Sequence, residues 1–351
     1  MNTSDSASYA CKKREHIYFM KTHKCASSSV QNVFFRYGDK HNLTFVLPPG
    51  GTNYFGHPKY FNRAMLPTTV RPVTYSIFAL HTRFQRTEVR KVMPSDTVYI
   101  TILRDPVALF ASMFSYYDMK RMYRLSLVNL VREHPEPLDP IYRERKFSKF
   151  GLNQMAFDLG LPPSQFRNAD IVDRFIKRLE ETFDLVLIAE RMPESLVLLR
   201  YLLCWDVDDV ILFKKNARST SYKKIEQQLT SQDADTLKRL NEADQRIYDH
   251  FNKVLSEKLE LFGLDRVAEE KALIDERTKF WYNECVDTVR NVDQETAKKK
   301  KIYSNQVMYF EERKGADPEC QRFLREELAY AAYLRERQRN LYFNASSSTR
   351  H

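Results

Sequence analysis

The chain has 351 residues, of which 43 % are hydrophobic, 13 % aromatic and 29 % charged. That is too apolar for a disordered chain and enough for one large α/β domain with added helices or for two domains of about 150 residues; only 8 glycines rule out collagen-like and glycine-linker architectures. Lys and Arg exceed Asp and Glu by 56 to 46, and a net charge of +10 suits an anionic partner such as a nucleotide phosphate, an acidic lipid or a nucleic acid.

His16 to Met20 is a short apolar run ending in the polar cluster Lys21 to Ser29. A helical pattern follows, with Val30, Val33, Phe34 and Tyr37 at i, i+3, i+4 and i+7, and Gly38 is expected to stop it as the C′ residue. This strand, polar loop and helix recur at Thr97 to Leu103, where Arg104-Asp105-Pro106 breaks the run and Val107 to Tyr117 read as helix. They recur again at Leu185 to Ala189, where Pro193 opens a helix through Leu203. Near-continuous apolar strands alternating with helices predict a parallel sheet covered on both faces.

Between these units, Leu47 to Pro58 is a Pro/Gly loop, and Asp118 to Lys149 reads as a basic, proline-interrupted insertion over the top of the sheet. From Asp233 onward the pattern is helical. Lys298 to Lys301 reads as a solvated linker, and Asp317-Pro318-Glu319 starts a last helix with Cys320, Phe323, Leu324, Leu328 and Ala331 on one face. None of the five cysteines forms a CxxC pair, which argues against a zinc ribbon or thioredoxin-type site. Cys25 is the odd one, and the pairing of Cys11, Cys204, Cys285 and Cys320 is left open. No apolar run reaches the roughly 18 residues of a membrane span, and Met1 to Arg14 has no signal-peptide hydrophobic region.

The segment Lys21 to Ser29 carries the most chemistry. A loop between a strand and a helix N-terminus offers free N–H groups and the positive end of the helix dipole to an anion. Ala26 lets a phosphate approach the backbone, Ser27, Ser28 and Ser29 add hydroxyl donors, and Lys24 adds a point charge. A Walker A loop requires glycines that this segment lacks. A glycine-free K-x-A-S-S loop after a first strand fits the 5′-phosphosulfate of 3′-phosphoadenylyl sulfate (PAPS) instead. PAPS needs a second site for its 3′-phosphate, which Arg104 at a strand end and Ser112 in the next helix can supply.

Long collinear motifs then point to one family. Lys21-Thr22-His23-Lys24, His41-Asn42-Leu43-Thr44-Phe45, His81-Thr82-Arg83-Phe84, Leu103-Arg104-Asp105-Pro106, Glu194 to Leu199, and Leu203-Cys204-Trp205 through Asn216-Ala217-Arg218 closely resemble the galactose 3-O-sulfotransferases. The resemblance runs from about Cys11 to Gly263, with a weaker echo around Cys285 and Cys320. It implies a PAPS-dependent α/β fold related to P-loop kinases, with a sulfotransferase domain over 15–263. A polar segment over 1–14, a helical C-terminal extension over 264–343 and a tail over 344–351 complete the expected organisation. Sulfuryl transfer to the 3-hydroxyl of a terminal β-galactose on a glycolipid, galactosylceramide-like, or on a glycan is the implied activity.

The cofactor-binding set is expected to be Lys24, Cys25, Ala26, Ser27, Ser28, Ser29, Arg104, Ser112, Asn216 and Arg218. Lys24 is expected to stabilise developing phosphate charge, and His81, at a strand end, to act as general base. His23 is expected to orient the loop, with Lys21, Arg83 and Glu190 around the site and Thr220 beside the nucleotide. Cys25 stands where the family usually has threonine, so backbone donors are expected to replace a hydroxyl contact. No metal and no nucleic acid are implied. The resemblance also implies a Golgi membrane enzyme with a lumenal catalytic domain, so the sequence is expected to have lost an N-terminal anchor. Two other readings compete: a uronyl 2-O-type glycosaminoglycan sulfotransferase, which shares the Lys-x-Ala-Ser loop, and a non-enzymatic basic module for glycans or nucleic acid.

Overall fold

The structure, a computed structural model, describes residues 11–50, 52–213, 228–299 and 308–342. Its centre is a parallel sheet of four strands, β1 (Ile17–Met20), β2 (Ile77–Phe78), β3 (Val98–Leu103) and β4 (Leu185–Ile188), in the order β2-β1-β3-β4. β1 lies in register with Ile77–Phe78 on one side and Val98–Thr101 on the other. All residues of β1 and β4 are buried, which is why both read as unbroken apolar runs rather than alternating ones. The chain leaves β1 for β2 on one edge and returns to β3 on the other side. The strand order therefore reverses at β1, and the crevice beyond its carboxyl end is where open α/β sheets place ligands.

Helix α1 (Ser27–Lys40) follows β1 directly, with the expected Val30, Val33, Phe34 and Tyr37 buried. The expected stop at Gly38 is not found. Gly38 lies inside the helix, where an added Cβ would sit 2.4 Å from Phe45 Cζ and 2.5 Å from Ile77 Cδ1, so close packing and not a turn requires glycine there. Helix α2 (Pro106–Tyr116) starts at the predicted proline, with Asp105 accepting from the Ala108 N–H at 2.8 Å. Helix α3 (Gln154–Asp158) lies beside the site, and α4 (Met192–Leu203) follows β4.

Beyond them, α5 (Glu242–Phe262) and α6 (Leu264–Cys285) are the long helices that the periodicity from Asp233 anticipates. The helical reading misses an antiparallel pair, β5 (Val286–Asn291) with β6 (Met308–Glu312). Every residue of β5 after Val286 is exposed, so no buried face marks it in the sequence. The single last helix is also two, α7 (Cys320–Leu324) and α8 (Glu327–Arg337), divided by extended backbone at Arg325 and Glu326. Disulfides join Cys11 to Cys204 and Cys285 to Cys320, and Cys25 is free and buried.

Candidate active site

The loop from Lys21 to Ala26 leaves β1 at the sheet's reversal point. Lys24 and Ala26 both adopt φ of 59°, in the left-handed region. Such alternation turns successive N–H groups to one side, a concavity that binds anions. The N–H groups of Ala26, Ser27 and Ser28 find no acceptor among the described residues. The first turn of α1 holds no acidic residue, and no side chain caps it. A helix N-terminus with no capping side chain on its backbone N–H groups retains those donors for an anionic ligand.

The side chains divide in their directions. Ser27 Oγ donates to the Thr22 carbonyl at 2.6 Å and is used in shaping the loop. Ser28 Oγ donates to Glu327 Oε2 at 2.8 Å. Cys25 is fully buried and its thiol points at the His23 carbonyl, 3.3 Å away. Burial pushes that thiol well above its ordinary range, so it stays protonated and packs as a small apolar side chain. Its contribution to ligand binding is thus confined to its backbone. Lys24 Nζ lies 3.4 Å from the centroid of the Tyr116 ring.

Arg104, at the end of β3, donates to the Lys24 carbonyl at 3.0 Å and so braces the loop from beside it. Ser112 is buried in α2, and its hydroxyl has no hydrogen-bond partner among the described residues. A buried, unsatisfied hydroxyl is costly unless a ligand meets it. No hydrogen bond joins Arg104 to Ser112. Asn216, Arg218 and Thr220 lie outside the described residues.

His81 follows β2 and reaches back to the loop, its Nδ1–H donating to the Lys21 carbonyl at 3.0 Å. That bond fixes the tautomer and leaves Nε2 as a lone-pair acceptor, which has no partner among the described residues. The imidazole stacks on His23, 4.2 Å away, and on Tyr54, 4.9 Å away, in a cluster of three near-parallel rings. Burial, with the nearby His23, Lys21 and His57, holds its pKa well below the ordinary 6.5. His81 is therefore a neutral base at physiological pH.

Behind it stands a group that sequence reasoning missed. Asp158, fully buried on α3, accepts from the His23 N–H and Nδ1 at 2.8 Å each, from Gln154 Nε2 at 2.8 Å and from His57 Nε2 at 3.2 Å. Burial alone would raise this carboxyl, but the two histidines bring it below the usual carboxylate range. His23, His57 and Asp158 place ligand-type atoms within 4.8 Å of one another. Four N–H donors already fill the carboxylate's roughly four acceptor positions, and the group anchors the loop through His23. Burial lowers His57 to about 4, so it is neutral as well. Of the expected surrounding residues, Arg83 is structural: it donates to the Phe157 and Leu161 carbonyls at 3.2 Å and packs on the rings of Tyr60 and Phe157. Glu190 accepts from the Asp105 N–H at 3.1 Å.

A family model described as galactose-3-O-sulfotransferase matches residues 1–338. The chain belongs to the galactose-3-O-sulfotransferase family. It is 36 % identical over 286 residues to galactosylceramide sulfotransferase of Homo sapiens, covering 81 % of this chain and 67 % of that protein. It is 41 % identical over 251 residues to galactose-3-O-sulfotransferase 3 of Mus musculus, covering 68 % and 56 % respectively. Against galactose-3-O-sulfotransferase 2 of Sus scrofa the identity is 34 % over 342 residues, 91 % of this chain and 83 % of the other. Family membership makes the chain a sulfotransferase of α/β fold with a four-stranded parallel sheet flanked by helices.

Proposed function

We propose that this enzyme transfers a sulfuryl group from PAPS to the 3-hydroxyl of a terminal β-galactose, on a galactosylceramide-like glycolipid or on a glycan. The observation that carries the reading is the glycine-free loop whose left-handed Lys24 and Ala26 open three backbone N–H groups at the N-terminus of α1. The names of the relatives supply the galactose, and PAPS follows from the family's chemistry. The wider relation to P-loop kinases is part of the same reading, supported by a strand, anion-binding loop and helix at the sheet's reversal point.

In this reading the backbone N–H groups of Cys25 to Ser28 hold the 5′-phosphosulfate, while the Ser27 and Ser28 hydroxyls stay on the Thr22 carbonyl and Glu327 and the Ser29 N–H on the Ala26 carbonyl. Arg104 and the unsatisfied Ser112 hydroxyl hold the 3′-phosphate, with Asn216 and Arg218 completing the nucleotide site. PAPS supplies an activated sulfuryl group for in-line displacement, in which positioning and charge stabilisation do most of the catalysis. His81 Nε2 takes the proton of the acceptor hydroxyl while its Nδ1–H stays on the Lys21 carbonyl. Lys24 leaves the Tyr116 face to meet charge on the departing phosphate. The two disulfides favour an oxidising compartment, in keeping with a lumenal Golgi enzyme, and Asn42 of the Asn-Leu-Thr sequon is exposed. Among the described residues no helix is long and apolar enough to cross a membrane.

The test is a thermal shift with 3′,5′-ADP, set against 5′-ADP and ATP–Mg²⁺, on the wild type and Arg104→Ala. At 100 times its Kd, 3′,5′-ADP should stabilise the wild type by about 2.7 kcal/mol. The other nucleotides should give smaller shifts, and Arg104→Ala should lose most of the effect. Equal shifts from 3′,5′-ADP and 5′-ADP would refute the PAPS reading.

A further inference from the structure

Glu327 is the first residue of α8, about 300 positions after the loop in sequence, yet its carboxylate lies against that loop. One oxygen accepts from Lys21 Nζ at 2.5 Å and from Asn53 Nδ2; the other accepts from Ser28 Oγ at 2.8 Å. The pair is almost sealed, with side-chain exposures of 0 % for Lys21 and 8 % for Glu327. Lys21 Nζ also donates to Gln31 Oε1 at 2.9 Å, and the Lys21 carbonyl holds His81. A single carboxylate thus grips the lysine whose backbone aims the proposed base and the serine at the second position of the anion-binding helix.

We propose that Glu327 is a positioning residue of the active site, setting Lys21 and Ser28 so that the loop and His81 share one geometry. The proposal rests on the sulfuryl-transfer reading. Burial lowers the Lys21 pKa, and Glu327 is the chief group opposing that shift. A buried cation without its partner pulls toward water or gives up its proton, and either response breaks the contacts that hold the Lys21 side chain between Glu327 and Gln31. The break at Arg325 and Glu326 serves this placement, because it lets a new helix begin with its first side chain on the loop. Asp39 of α1 fastens the surroundings, accepting from Arg322 at 3.1 Å, Tyr330 at 3.1 Å and Arg337 at 2.8 Å.

The experiment compares wild type, Glu327→Gln and the paired Lys21→Met/Glu327→Leu, all as the full chain. It measures Tm with and without 3′,5′-ADP, and kcat and KM for PAPS. Buried ion pairs replaced by apolar residues of similar size often keep or gain stability, so the paired variant separates folding from positioning. The expected results are a loss of ~10- to 100-fold in kcat/KM for Glu327→Gln, and a paired variant with wild-type-like Tm that remains comparably impaired. Near-wild-type kcat/KM in either variant would overturn the proposal and leave the pair a structural plug. If the wild type is not stabilised by 3′,5′-ADP, the sulfuryl-transfer reading itself fails and takes this role with it.

Discussion

His81 joins three properties that rarely meet in one side chain. It is buried, its tautomer is fixed by the Lys21 carbonyl, and burial, aided by His23 and Lys21 nearby, keeps it neutral. In the proposed role His81 acts as an unprotonated imidazole, so kcat/KM should be flat above pH 6.5 and fall only as pH drops through the lowered folded-state value. An acid limb at or above 6.5 in the pH–rate profile would contradict this assignment. His81→Ala should cost on the order of 10²- to 10⁴-fold in kcat at pH 7. Linkage has the same sign: His81 and His57 bind protons more readily unfolded than folded, so stability is full above pH 6.5 and declines as pH falls below it. For His57, the distance from 6.5 to about 4 corresponds to roughly 3 kcal/mol.

At the scale of elements, legibility followed burial and sequence distance. β1, β3 and β4 are buried throughout or nearly so and follow one another with intervening helices, so their apolar runs disclose them along with the Lys21–Ser29 loop. β5 lies open to solvent and leaves no such pattern. His57, Asp158 and Glu327 could not be attached to the loop from sequence, because each reaches it from a separate element and only packing brings them together. Gly38 was legible as special, but for the wrong reason: a glycine near the end of a helical pattern signals a stop, whereas here it admits Phe45 and Ile77 against the helix. Gly38→Ala measures how tightly that contact packs. A C′ glycine in left-handed geometry would also suffer from alanine, but inside a helix alanine is intrinsically favoured by about 1 kcal/mol. The 2.4 Å contact dominates that gain, and overpacking should leave a net loss of about 1–3 kcal/mol in chemical denaturation. A stabilised Gly38→Ala would show that Phe45 and Ile77 move aside freely.

Across the whole molecule, the ends of the chain close on the central helix. Cys285–Cys320 ties the start of α7 to the end of α6, just ahead of the segment that carries Glu327 to Ser28. Cys11–Cys204 acts at the other end, beside Trp205, which stacks on Tyr37 of α1 at 3.6 Å. Ser28 and Tyr37 are nine residues apart on one helix, about 13 Å along its axis, so Glu327 and Trp205 touch different ends of the same element, while α7 itself meets α1 at Asn32, Arg36 and Asp39. By loop-closure entropy, the bridge across 35 residues contributes about 4 kcal/mol and the one across 193 residues about 5 kcal/mol. Cys285→Ser/Cys320→Ser and Cys11→Ser/Cys204→Ser should therefore each lower Tm, by roughly 5 °C for a chain of this length. Their effects on the cofactor should differ. Loosening the Glu327 segment should raise KM for PAPS several-fold, whereas loosening the Trp205 end should leave it near the wild-type value. Equal KM values in the two variants, with both Tm values lowered, would mean that α7 and α8 hold Glu327 in place without their disulfide, through Asp39 and its arginines alone.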